Sequence, residues 1–288
     1  MKHGILMMAH NNVEVVRTCL AMLDDPRFTV YLMVDRKAPV EPEAFIPELR
    51  HMGCVVLERM PINWAAWSAM AAELSMIEVA VRDGNDYLHF LQGADLPMKS
   101  PEAIDRFFTK WNGRNFIQLQ PERYELARYK LLVRHYFLDH PAYRTSRLRK
   151  GLRYGLAALQ KPFMPSEQVR HCSALISITG AYGAWLAGRG GELAARYRRT
   201  LAPDEVFPIY ELDHSPFAGT LGCENGGRFI DWARREGNSP HTFTMADREQ
   251  LAAAVLREDV MFARKFQANR DLEYCERGSA DGRRTGIR

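Results

Sequence analysis

The sequence predicts an α/β fold with a mostly parallel central sheet flanked by helices, and three observations carry that prediction. From residue 3 onward, short apolar runs alternate with helically spaced stretches in the order strand, helix, strand, helix. The runs are largely apolar rather than alternately apolar and polar, which suits strands buried on both faces. Acidic residues, Asp35 and Asp95, stand where two of these runs end, and ligands of such sheets bind at the carboxyl ends of strands.

Each element has its own signal. "HGILMMAH" reads as a buried strand, followed by "NNVEVVRTCLAMLDD" with Val13, Val16, Leu20 and Leu23 at helical spacing. "FTVYLMVD" is a second strand, ending at Asp35. "EAFIPELRHMG" is predicted as a short helix and "CVVLE" as a third strand. "AAWSAMAAELSMIEVAVRDG" is a long Ala-rich helix that Gly84 closes, because glycine readily adopts the left-handed conformation that ends a helix. "DYLHFLQGAD" is a further strand stopped at "LP", and a helix follows from Ser100.

Residues 121 to 170 differ in composition. Arg144, Arg147, Arg149, Lys150 and Arg153 form a basic cluster interleaved with Leu148, Leu152 and Leu156. The ordinary reading of such a helix is a solvated face. The functional reading is a basic helical insertion over 144–161 that covers an acceptor or touches anionic lipid headgroups. The polar, Gly-rich stretch 277–288 reads as a loose tail.

Composition limits the function classes. With 39 Lys and Arg against 35 Asp and Glu, the net charge of +4 is mild and does not suggest a nucleic-acid partner. Five scattered cysteines without a C-x-x-C pair argue against a zinc site and a disulfide framework. The apolar run at the N-terminus is too short for a signal peptide, and no run reaches the roughly 18 residues a spanning helix needs. The expectation is a cytoplasmic protein, with peripheral contact to the inner face of a membrane as an option. There is no G-x-S-x-G elbow and no G-x-G-x-x-G after the first strand, which weighs against serine hydrolysis and dinucleotide binding.

Two stretches point to chemistry. In "LAPDEVFPIYEL", Asp204 and Glu205 are adjacent acids at a helix start, and side chains one residue apart on a helix point roughly 100° apart. One can therefore aim into a cleft while the other caps the helix, and a glutamate among apolar neighbours can act as a general base. In "VMFARKF", Arg264 and Lys265 sit within an apolar run, where charge requires a partner.

"ILMMAHNN", "VYLMVDRKA", "INWAAWSAMAAELSMIEVA", "YLHFLQGADLPMKS", "APDEVFP", "GRFIDW", "SPHTFT" and "FARKF" occur in this order. Together they resemble the core-2/I-branching family of glycosyltransferases (family 14), which includes peptide O-xylosyltransferases. The resemblance spans roughly residues 3 to 275. It implies a GT-A type nucleotide-sugar-binding fold and an inverting enzyme that moves a sugar, N-acetylglucosamine or xylose, from a UDP-sugar to a hydroxyl without a metal. It further implies one domain over 1–276, with a nucleotide-binding half at about 1–115 and an acceptor and catalytic half at about 116–276.

The family motifs fall on particular residues. Glu205 matches the catalytic base and Lys265 the diphosphate contact, with Arg264 added by the full "FARKF". Asp35 matches the family's residue near the uridine, with Arg36 beside it, and His10 falls at the first-strand position near the nucleotide. Gly93 and Asp95 match one donor-site motif, Trp64 and Ser68 another. His241 stands where some members carry a second phosphate-binding arginine. Glu122, Arg128, Tyr182 and Asp204 are acceptor-side candidates. The chain departs from the family at Gln92, where Ser is usual, and at Ala65-Ala66, where the motif has glycines. It has no D-x-D motif, so a diphosphate would be met by protein cations and no metal or other cofactor is expected. The partners implied are a UDP-sugar and a glycan or lipid-linked glycan acceptor, in bacterial surface polysaccharide synthesis. Two rivals remain: a non-catalytic nucleotide-sugar-binding protein and a protein that binds anionic membranes.

Overall fold

Four apolar runs of the first half pair as parallel strands. β1 (His3–Ala9) lies between β2 (Phe28–Val34) and β4 (Tyr87–Gln92), and β3 (Gly53–Val56) extends the sheet beyond β2. β7 (Cys172–Thr179) joins β4 antiparallel, and β6 (Phe116–Leu119) pairs antiparallel with β7, giving the order β3-β2-β1-β4-β7-β6. β6 therefore runs with the first four strands and β7 is reversed. Strands from both halves of the chain share this sheet. The structure is a computed structural model describing residues 1–140, 142, 145–235, 237 and 239–268. Arg144 of the basic cluster and the tail 277–288 lie outside the described residues.

Because strand side chains alternate between faces, each strand feeds two cores. Ile5, Met7, Val30 and Leu32 face α1 (Val13–Met22) and α3 (Pro101–Lys110), which contribute Val16, Leu20, Ile104 and Phe108. Leu6, Tyr31 and Met33 face α2 (Trp67–Arg82), which contributes Met70, Met76 and Ile77. The largely apolar sequences of β1, β2 and β4 follow from this two-sided cover. α2 stops at Gly84, which takes a φ of +73°, and Ser100 caps α3 by accepting from the Ala103 amide.

Two expectations are corrected. "EAFIPELRHMG" forms a single 3-10 turn over Pro42–Phe45 rather than a helix. Ile46, which precedes Pro47, is extended (φ −95°, ψ 118°), as steric conflict with a following proline ring favours. Arg17 on α1 then fixes the chain, donating to the Ile46 carbonyl at 2.6 Å. "DYLHFLQGAD" is not one strand either. The chain leaves the main sheet after Gln92, turns through Gly93 and Ala94, and β5 (Asp95–Pro97) pairs antiparallel with β9 (Phe262–Arg264). β8 (Arg228–Ile230) lies on the other side of β9, in parallel register.

The second half adds α4 (Tyr124–Leu132), α5 (Arg147–Gln160), α6 (Gly180–Ala187) and α7 (Gly190–Tyr197). A 3-10 turn at Pro203–Glu205 leads into α8 (Phe207–Asp213), and α9 (Arg248–Leu256) precedes β9. The carboxyl ends of β1, β2, β4 and β6 and the start of the reversed β7 lie along one edge of the sheet. That edge carries His10, Asp35, Gln92 and His171.

Candidate active site

Glu205 sits at this edge because its turn packs on the beginning of β7. Its Oε2 takes a hydrogen bond and an ion pair from Lys130 Nζ of α4, and His171 Nε2 lies 3.5 Å from the same oxygen. Lys130 Nζ also lies 3.0 Å from His171 Nε2. His171 Nε2 thus faces both Lys130 Nζ and Glu205 Oε2, and burial lowers the pKa of His171, which favours its neutral form. Lys130 is 6% exposed and Glu205 32%. Oε2 is thus anchored, while no described group takes Oε1.

Electrostatics separate the adjacent acids. Burial alone would raise Glu205, but the His171 contact and the charge and hydrogen bond of Lys130 reverse this and hold it down at about 2. Asp204 is pushed up to about 7, first by burial and then by the charge of Glu205. Its Oδ1 is buried without a hydrogen-bond partner among the described residues. Glu73 of α2 is fully buried with both oxygens similarly unpartnered. Burial and the nearby charge of Asp204 raise it well above the usual carboxylate range. At neutral pH Glu205 is the anion and Asp204 is near the midpoint of its titration, while burial favours the protonated form of Glu73.

At the ends of β2 and β4 the cations divide. Arg264 donates to Asp95 Oδ1 at 2.9 Å and to Gln92 Oε1 at 2.9 Å. The Gln92 amide in turn donates to Asp95 Oδ2 at 2.6 Å. Asp95 therefore meets the charge of Arg264 in this arrangement. Lys265 is half-buried, and no described acceptor pairs with its Nζ. Gln92, the departure from the family's Ser, is the side chain that completes the Arg264 contact.

The remaining donor-side candidates flank this centre. Asp35 Oδ1 accepts from the amides of Lys37 (3.0 Å) and Ile62 (3.2 Å), so it organises the loop after β3 as well as its own turn. Arg36 and His10 are exposed. Gly93 lies where an added Cβ would come within 3.2 Å of the Asn11 carbonyl, so the β4 turn packs closely on the segment after β1. Trp64 is exposed. Ser68 accepts from the Asn63 amide at 2.9 Å and donates to Asp139. His241 Nε2 is 3.1 Å from Asp247 Oδ2, so its ring is turned toward a carboxylate.

Ala65, where the family has glycine, takes a φ of +61°, and Ala202, just before the Pro203 turn, takes +46°. Both lie in the left-handed region that favours glycine. They meet directly, the Ala202 amide donating to the Ala65 carbonyl at 3.0 Å. The loop bearing Trp64 and the turn bearing Glu205 are thus tied together by two strained alanines.

On the acceptor side, Glu122 is exposed on a 3-10 turn. Arg128 spends its guanidinium on the Pro165 carbonyl at 3.0 and 2.6 Å. Tyr182 is corrected: it is fully buried and donates its hydroxyl to the Pro208 carbonyl at 2.8 Å, which leaves nothing for a ligand. Lys130, His171, Glu73 and Asp139 were not foreseen. Lys130 shares a buried face of α4 with Ala127 at i, i+3 spacing, which the sequence alone does not mark.

The fold and site define an α/β protein whose polar and charged side chains gather at the carboxyl edge of a parallel sheet. The family model of the Core-2/I-Branching enzymes matches residues 6–164, more than half of the chain, and the chain belongs to that family. It is accordingly a glycosyltransferase. Lys130 falls inside the matched stretch, whereas Glu205, His241, Arg264 and Lys265 lie beyond it. No curated protein matches the chain. Among solved structures, the chain is remotely similar to the apo crystal structure of mouse xyloside xylosyltransferase 1. The two share 11% identity with a TM-score of 0.47, covering 94% of this chain and 99% of that one.

Proposed function

We propose that this glycosyltransferase moves a sugar, N-acetylglucosamine or xylose, from a UDP-sugar to a glycan hydroxyl with inversion and without a metal. Bacterial surface polysaccharide, free or lipid-linked, is the acceptor class we favour. The observation that carries the reading is Glu205, a carboxylate fixed through Oε2 by Lys130 with Oε1 left open.

The acceptor hydroxyl hydrogen-bonds to Oε1 and attacks the anomeric carbon from the face opposite UDP. The new C–O bond forms as the bond to UDP breaks, and that electron pair passes to the β-phosphate oxygen. The hydroxyl proton goes to Glu205. A carboxylate held near 2 is a weak base for a free alcohol. It suffices because the acceptor oxygen becomes strongly acidic as it bonds to an electron-poor anomeric carbon, so proton transfer comes late. Lys130 keeps the carboxylate ionised and oriented until then.

The charge that builds on the leaving diphosphate falls to Lys265, a point charge suited to phosphate. Arg264, through Asp95 and Gln92, sets the turn on which the donor rests. Asp35 lies toward the uridine. The absence of a D-x-D motif supports the metal-free reading. The test is a panel of UDP-sugars assayed for UDP release with and without EDTA and acceptor. Turnover with one donor that survives EDTA supports the reading, and turnover that Mn²⁺ must restore refutes it.

A further inference from the structure

We propose that the outer face of α5, with the turn that follows it, docks on an anionic lipid surface. This goes beyond the transfer reaction and does not depend on the identity of donor or acceptor.

α5 is packed on the protein through Arg153 and Ala157, both buried, and through Gln160. The Gln160 side chain donates to the Arg134 carbonyl at 3.0 Å and accepts from the Arg134 amide at 3.0 Å. The opposite face turns to solvent, and on a surface helix that face is ordinarily polar. Here it is apolar. Leu148 is 82% exposed, Leu152 50% and Leu159 72%, with Phe163 at 85% just past the helix end. Residues 148, 152 and 159 fall within about 40° of one another around the helix axis. Scattered exposed leucines need no explanation, but a contiguous apolar stripe does. The expected solvated basic face is thus replaced by a leucine stripe edged with charge.

The charge selects the occupant. Residues 140–166 contain six Lys and Arg and no Asp or Glu. Arg147 lies about 100° around the helix from Leu148, and Lys161 lies in the turn that carries Phe163; both are exposed. Apolar side chains with cations beside them match a bilayer interface, where leucine and phenylalanine enter the acyl boundary and cations meet headgroup phosphates. A nucleic acid offers the phosphates but nothing apolar to cover Leu159 and Phe163. A second copy would bring the same cations face to face.

No helix of the described residues is long and apolar enough to cross a membrane, so the contact is peripheral. It also bears on the site. Arg128 on α4 ties that helix to Pro165 beyond the docking turn, and α4 carries Lys130. A lipid-linked acceptor would then be met at the surface on which it resides.

The test is co-sedimentation of the full chain with vesicles of phosphatidylcholine alone and of equal phosphatidylcholine and phosphatidylglycerol. The wild type should sediment with the anionic vesicles, remain free with the neutral ones, and be released as salt rises. The variant L148S/L159S/F163S should lose at least about tenfold in partitioning. R147E/K161E should lose about fivefold or more per cation. All of these residues are outside the catalytic machinery, so both variants should keep the wild-type thermal melt by circular dichroism. Three results would overturn the proposal. One is equal binding to neutral and anionic vesicles, or to neither. Another is wild-type binding by the serine variant. The third is a wild-type dimer in sedimentation velocity that the serine variant dissolves, which would assign the stripe to self-association.

Discussion

Replacing Lys130 with methionine removes the charge that holds Glu205 while roughly keeping the stem's volume. In the wild type, burial raises Glu205 and the contacts with His171 and Lys130 outweigh it, leaving the group near 2 against an ordinary 4.5. Without the lysine, burial is opposed only by His171, so the carboxyl should titrate at or above 4.5. A folded-state pKa below the unfolded one adds stability that is present above 4.5 and lost as pH falls toward 2. Fully expressed, that shift is about 3 kcal/mol. Solvent screening at a side chain about one-third exposed reduces the expected stability loss at pH 7 to about 1–2 kcal/mol. The assay is kcat/KM for UDP release as a function of pH, with a melt at each pH. The acid limb should move up by about two units or more, and activity at pH 7.5 should fall about tenfold as Glu205 loses its fixed orientation. An acid limb unmoved in a folded variant would refute the role of Lys130.

The other expectations concern the neighbouring charges. Asp204, raised to about 7, gives stability that is full below its unfolded value and lost as pH rises through 7. Asp204→Asn should remove that loss, so the wild-type melt should fall relative to the variant between pH 5 and 8, by up to about 1.4 kcal/mol per pH unit. Parallel melting curves would return Asp204 to an ordinary ionised state. Lys265→Ala should weaken UDP binding about ten- to a hundredfold while barely changing uridine binding, both measured by calorimetry. Arg264→Ala should instead lower thermal stability, because it leaves the buried Asp95 without its cation, a loss of about 3–5 kcal/mol. If both variants affected UDP affinity alone, the assignment of Arg264 to Asp95 would fail.

The legible parts of the fold were those set by local pattern. Largely apolar runs gave β1, β2, β3 and β4, and Gly84 and Ser100 gave helix boundaries, since backbone conformation and capping are fixed by a few adjacent residues. The turn at Gly93 and Ala94 was not legible, because "YLHFLQGADLP" stays apolar while its second part changes sheets; only the pairing of Asp95 with Arg264, far along the chain, explains it. The helix over "EAFIPELRHMG" fails at Pro47, because the residue before a proline is driven to extended backbone whatever the helical spacing around it. At the site, Glu205 could be picked out by motif. Lys130 and His171 could not, since both are brought to Glu205 by packing of α4 and β7. The cation pair at 264–265 read as one unit because sequence adjacency says nothing about partners. The basic helix read as solvated because its composition does not reveal which face the protein covers.

The central assignment is tested most directly by Glu205→Gln. Glutamine keeps the shape and can still accept from Lys130 through its carbonyl oxygen, but it cannot take the acceptor's proton. UDP release in the presence of acceptor should fall about 10²- to 10⁴-fold, with UDP affinity close to wild type and the melt lowered only by the lost ion pair with Lys130, as in Lys130→Met. Wild-type turnover by this variant would contradict the assignment of Glu205 as the base.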